Sequence, residues 1–104
     1  MVYDCVSLED FKDIISKGKT IVKFTSPRST SCKFISLYYK MFERRYRSLK
    51  YAQVDIEEIS EVRTLVDVYA VPSFYCFSDG KLVSYMIGGN ASKLDEFLHR
   101  HAII

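Results

Sequence analysis

The sequence predicts an α/β fold in a single domain, residues 1–104: a central mixed five-stranded sheet with four helices on its two faces, in the order βαβαβαββα. Three observations carry this. Short β-branched, apolar runs alternate with longer stretches of helical periodicity, which is the pattern of βαβ units with parallel strands. Two later apolar runs, Phe74–Phe77 and Leu82–Ile87, flank Ser78-Asp79-Gly80-Lys81, whose Asp-Gly pair marks a tight turn and makes the closing pair antiparallel. Finally, 104 residues with 48% hydrophobic and 27% charged side chains suit one globular core, burying roughly 60% of the unfolded surface or slightly more.

Each element has a local reason. Val2–Val6 reads as a short first strand. Ser7 is a helix cap followed by acids in the first turn, and Leu8, Phe11, Ile14 and Ile15 follow at helical spacing until Gly18 stops the helix. Thr20–Phe24 is β-branched and apolar, hence a buried strand. The second helix is expected over Thr30–Ser48, with Phe34, Ile35, Tyr38, Met41, Phe42 and Leu49 on its buried face. Tyr51–Ile56 is the third strand. Glu57, Glu58 and Glu61 then sit where a helix start favours negative charge, and Val62, Leu65, Val66 and Tyr69 form the buried side of a third helix. After the hairpin, Gly88-Gly89 breaks the strand. Ser92-Lys93-Leu94-Asp95 resembles a capping box, and Leu94, Phe97 and Leu98 open the last amphipathic helix.

Composition excludes several classes. No apolar run approaches the roughly 18 residues of a membrane span. The start, Met1-Val2-Tyr3-Asp4-Cys5, lacks a basic segment followed by an apolar one, so a cytoplasmic location is expected. Three cysteines, an odd number, argue against a disulfide framework. His99 and His101 are expected to face solvent near the last helix end, and alone they make no metal site. The net charge of +2 hides an asymmetry: residues 1–52 carry eleven Lys/Arg and five Asp/Glu, residues 53–104 four and eight, or +6 against −4. Lys33, Lys40, Arg44 and Arg47 form a basic stripe on the second helix that suits an acidic protein partner. Tyr39, Tyr46 and Tyr51 near it raise base stacking on RNA, although the overall composition is not that of a nucleic-acid binder.

The chemistry concentrates at Ser29-Thr30-Ser31-Cys32, directly after the second strand and at the start of a helix. About forty residues later Val71-Pro72-Ser73 enters a further strand. A thiol at a strand-to-helix junction facing a strand-entry proline is an arrangement for thiol chemistry. A cysteine in the first turn of a helix gains from the helix dipole, which favours its thiolate, and Arg28 and Lys33 add positive potential.

The run Phe24-Thr25-Ser26-Pro27-Arg28-Ser29-Thr30-Ser31-Cys32-Lys33 resembles the active-site run of the thioredoxin family. Tyr51-Ala52-Gln53-Val54-Asp55 is similar to that family's third strand, Tyr69-Ala70-Val71-Pro72-Ser73 to its cis-proline loop, and Phe77-Ser78-Asp79-Gly80-Lys81-Leu82-Val83 with Gly88 to its terminal hairpin. The resemblance spans nearly the whole chain and implies the thioredoxin fold. It places Ser29 at the position of the attacking cysteine and Cys32 at that of the resolving cysteine, with Lys23 where many members carry a buried aspartate. Arg28 replaces a tryptophan and Thr30-Ser31 a glycine-proline.

These departures bear on function. Dithiol exchange needs one thiolate to attack and a second to release the mixed disulfide, and a serine hydroxyl does neither. Cys5 and Cys76 are expected to be buried small hydrophobes too distant to resolve Cys32, since bridged Cα atoms lie within about 7 Å. A cation at Lys23 favours a thiolate beside it, and its own charge is disfavoured by burial. The resemblance therefore implies a thioredoxin-like protein that binds a peptide, a protein or a small thiol such as glutathione at the Ser29–Cys32/Pro72 groove, without full reductase turnover and without a cofactor. In this reading Arg28, Thr30, Ser31, Val71, Pro72 and Gly88 contact substrate and Lys23 tunes Cys32. Two alternatives stand beside it: a single-cysteine oxidoreductase or deglutathionylating protein using Cys32 with an external thiol, and a scaffold subunit using the basic helix. Were Ser29 a substitution for cysteine, the native protein would be an ordinary disulfide reductase.

Overall fold

The computed structural model describes residues 1–103. The elements run β1 (Val2–Asp4), α1 (Leu8–Ile15), β2 (Lys19–Thr25), α2 (Thr30–Arg45), β3 (Lys50–Asp55), a 3-10 turn (Ser60–Thr64), β4 (Ser73–Ser78), β5 (Lys81–Ile87) and α3 (Ala91–Ala102). The strands form one sheet in the order β1-β3-β2-β4-β5. β1 and β2 flank β3 in parallel, while β4 runs antiparallel to both β2 and β5. This is the mixed α/β sheet that the sequence predicts.

The sheet separates two cores. On one face α1 and the 3-10 turn cover Val22, Phe24, Val54, Tyr75 and Phe77, with Phe11 and Val62 as plugs. On the other, α2 and α3 cover Ile21, Tyr51, Phe74 and Cys76 with Ile35, Tyr39, Phe42, Leu94 and Phe97. Burying each such side chain contributes about 1.5–3 kcal/mol. Tyr39 ties α2 to the sheet: it is fully buried, and its hydroxyl donates between the carbonyls of Ile21 and Ala52, each at 2.9 Å.

Local chemistry sets the boundaries. Ser7 accepts from the Asp10 amide as the cap of α1. The β4–β5 hairpin turns through Asp79 and Gly80, both at positive φ (49° and 85°), the region that an Asp-Gly turn requires. Its tip docks on the end of α1: the Gly80 amide donates to the Ile15 carbonyl at 2.7 Å, and Asp79 Oδ1 accepts from the Gly18 amide at 2.7 Å.

Several expectations are corrected. The third helix is absent as an α-helix, leaving three α-helices and the 3-10 turn. No side chain caps its start, Asp55 instead accepts from the Glu57 and Glu58 amides in a tight turn, and β-branched Val66 and Val68 disfavour continuation. Leu65 and Tyr69, expected inside, are exposed. α2 ends at Arg45 rather than Ser48, and its buried stripe is Cys32, Ile35, Tyr39 and Phe42; Phe34 and Met41 are exposed. Tyr39 and Tyr51 are buried core residues, and the Tyr46 hydroxyl bonds Asp95, so these rings are not a stacking platform for bases. Asn90, not Ser92, caps α3. His101 is buried and bonded through Nε2 to Ser84 Oγ at 2.7 Å. β1 stops at Asp4, leaving Cys5 just beyond it.

Candidate active site

β2 delivers the chain to the sheet end and the loop Ser26–Ser29 turns it into α2. The turn is stapled by Glu57, which accepts from the Ser26 hydroxyl and pairs with Arg28 Nε at 3.2 Å. Ser29 is the N-cap: its backbone is extended, its Oγ accepts from the Cys32 amide at 3.1 Å, and its carbonyl accepts from the Lys33 amide. The hydroxyl is therefore committed to the helix end. Thr30 and Ser31 are exposed on the first turn, whereas Cys32 is only 1% exposed.

The second wall comes from the β4 entry and the segment after β5. The Val71–Pro72 peptide bond is cis. The Pro72 carbonyl accepts from the Gly88 amide at 2.8 Å, with Gly88 at φ 109°. A Cβ added to Gly89 would lie 2.5 Å from Ser31 Oγ and 3.5 Å from Pro72 Cγ. Ser31, Pro72 and Gly89 thus meet, and a side chain at position 89 would require Ser31 to rotate away. Gly89 was legible in the sequence only as a strand breaker. The amide and carbonyl of half-buried Val71 have no hydrogen-bond partner among the described residues.

Beneath the helix start lies Lys23, 1% exposed. Its ammonium donates to Ser36 Oγ, and Ser36 donates to the Cys32 carbonyl at 2.9 Å. Burial holds the Lys23 pKa below the usual lysine value; Lys40 also lowers it, while Cys32 and Asp4 pull it back up. Ser36, four residues after Cys32, lies on the same helix face, so this link was readable from spacing, whereas the Glu57 staple, 31 residues from Ser26, had no local trace.

Cys5 and Cys32 line one cleft of about 360 Å³, together with Ser26, Ser36 and Gln53. Burial, aided by Asp10 and Asp4, pushes the Cys5 thiol up to about 12, so at neutral pH it stays protonated and is a poor attacking group. Cys76 faces the opposite core and is raised by burial. All three cysteines are free. Among the described residues no group of His, Cys, Asp and Glu is placed to hold a metal, and no helix is long and apolar enough to cross a membrane.

Comparison with known proteins fits this geometry. The thioredoxin family model matches residues 2–100. Thioredoxin 1 of Plasmodium falciparum is 29% identical over 103 residues, covering 98% of this chain and 99% of that protein. Thioredoxin-1 of Schizosaccharomyces pombe is 28% identical over 96 residues, covering 91% and 93%. The solved structure of Plasmodium falciparum thioredoxin superposes with a TM-score of 0.93 at 28% identity, covering 96% of this chain and 99% of that one. Trypanosoma brucei brucei thioredoxin gives 0.89 at 29%, covering 99% and 91%. The chain belongs to the thioredoxin family of thiol-disulfide redox proteins.

Proposed function

We propose that this protein binds an extended peptide or protein segment, or a small thiol such as glutathione, at the groove between Ser29–Cys32 and Val71–Pro72, without completing a dithiol reductase cycle. The observation that carries this is Ser29: where a thioredoxin cycle needs an attacking sulfur, the chain places an oxygen bonded to the Cys32 amide. Cys32 is the one cysteine on α2 itself, and it is buried. The unpartnered Val71 backbone suits strand addition by an extended ligand. Thr30 and Ser31 offer exposed hydroxyls beside it, Arg28 sits on the rim paired with Glu57, and Gly88 and Gly89 keep the far wall low.

The test compares insulin reduction by dithiothreitol in the presence of this chain and of Ser29→Cys. Activity in the variant alone is the expected result. Reduction catalysed by the unaltered chain would overturn the reading.

A second reading rests on Lys23, a buried cation linked through Ser36 to the Cys32 backbone. Here Cys32 is a single-cysteine enzyme: its thiolate attacks a glutathione mixed disulfide, takes the glutathionyl sulfur and releases the substrate thiolate. A second glutathione thiolate then removes it as glutathione disulfide and restores Cys32. Deglutathionylating turnover that Cys32→Ser abolishes would establish this reading in place of the first.

A further inference from the structure

The cleft that reaches Cys32 does not end there. It shares Asp4, Ser36 and Gln53 with a narrower stretch of about 130 Å³ over Lys23. That stretch shares Val2 and Lys40 with an open groove of about 890 Å³ bounded by Arg44, Arg47 and Lys50. The three form one trough between the flank of α2 and the β1 edge of the sheet. From Cys32 to Arg45 the helix advances about 20 Å, the span of roughly six residues of extended chain.

The trough is electrically polarised. At the Cys32 end its charged walls are Asp4, Asp55 and Glu58 against Lys33. At the far end they are Lys40, Arg44, Arg47 and Lys50 against Glu43 alone. Glu43 pairs with the Met1 amine, whereas the side chains of Lys40, Arg44 and Arg47 make no hydrogen bond or ion pair with another described residue. Three cations, two on α2 and Arg47 just past its end, share a groove whose one lining carboxylate, Glu43, is already paired. β1 is the edge strand, and its outer side pairs with no described strand, so backbone groups for strand addition lie along the same wall.

We propose that this trough is a docking site for an extended, acidic segment of a protein partner, its carboxylates seated on Lys40, Arg44 and Arg47. A protein segment fits better than RNA for two reasons on the molecule itself. A uniformly charged phosphate chain would be repelled by Asp4, Asp55 and Glu58 at the other end, and Tyr39 and Tyr51 are buried away from any base. The site meets the Pro72 groove only at Cys32 and does not depend on the redox reading.

The test is fluorescence anisotropy of a fluorescein-labelled hexapeptide, three glutamates followed by three serines, with the intact chain. Saturable binding should weaken about tenfold or more in Arg44→Glu/Arg47→Glu and weaken as salt rises. Lys81→Glu/Lys93→Glu, the same charge change at two exposed positions outside the trough, should leave it unaltered. Circular dichroism checks that the double variant is folded; if it is not, Arg44→Gln/Arg47→Gln replaces it, with an expected loss of about threefold. Equal binding by the folded Arg44/Arg47 variant, no saturable binding at about millimolar peptide, or tighter binding of a uridine hexanucleotide would each overturn the proposal.

Discussion

The Lys23 ammonium donates to Ser36, and the Ser36 hydroxyl passes the chain of bonds on to the Cys32 carbonyl at 2.9 Å. A buried cation with a hydroxyl as its hydrogen-bond partner, and no carboxylate paired to it among the described residues, is an expensive core residue. Its folded pKa lies below the lysine value of 10.5, chiefly through burial. As pH falls below 10.5 the unfolded chain takes up this proton before the folded one does, so stability is lost on going from pH 10.5 towards the folded pKa and regained on going back. Lys23→Met, close in volume and apolar, should therefore be more stable than the parent near neutral pH by about 1–3 kcal/mol, roughly 4–8 °C in Tm per kcal/mol. Thermal unfolding at several pH values checks it. The advantage of the variant must shrink as pH approaches 10.5; a constant or growing gap would sink the argument.

Gly89 and Ser31 are coupled by contact. Gly89→Ala places a Cβ 2.5 Å from Ser31 Oγ, so the serine must rotate away. The expected loss is about 0.5–1.5 kcal/mol, the scale of a displaced rotamer. Ser31→Gly removes the obstructing atom and should recover most of that loss. Urea unfolding of both single variants and the double variant gives the coupling energy directly; additive effects would mean that the two segments do not touch.

Much of the fold was legible because local and global cues agree. The Asp79-Gly80 turn, the Ser7 cap and the β-branched run ending in Phe24 each specify their element alone. What failed has a common cause. The Val62–Tyr69 segment has helical spacing but no cap and several β-branched residues, so the Asp55 turn wins and Tyr69 is left outside. By spacing Tyr39 neighbours the basic stripe, because a sequence cannot show that its hydroxyl will meet two strand carbonyls. Around the candidate site, the places of Ser29 and Cys32 at a helix start and of Pro72 at a strand entry were legible from the strands beside them. The Glu57 staple and the Ser31–Gly89 approach depend on segments far apart in the chain.

Ser29 is the cap of α2. Its Oγ accepts the Cys32 amide at 3.1 Å, and removing such a cap costs about 1 kcal/mol. Ser29→Ala should lower the urea midpoint accordingly. Ser29→Cys, whose sulfur is a weaker acceptor, should fall between alanine and serine in its reduced form. A reduced Ser29→Cys as stable as the parent would show that the hydrogen bond contributes nothing and that the serine is there for another reason.

His101 gives the protein an acid-side weakness. Its ring is buried, sits 4.8 Å from Phe97 and bonds Ser84 through Nε2. Burial lowers its pKa below 6.5, and Lys19 and Arg100 lower it further. The unfolded chain thus binds the proton first as pH falls through 6.5. The neutral ring's contribution is present above that value and is lost as pH drops towards the folded pKa. The parent should lose more stability between pH 7 and pH 5 than His101→Phe, which keeps the contact with Phe97 and has no proton to bind. The variant also leaves Ser84 unpartnered, a pH-independent cost of about 1 kcal/mol, so the comparison is of slopes rather than absolute midpoints. Titration of the ring by NMR supplies the second check: a midpoint at or above 6.5 would remove the basis for the pH effect.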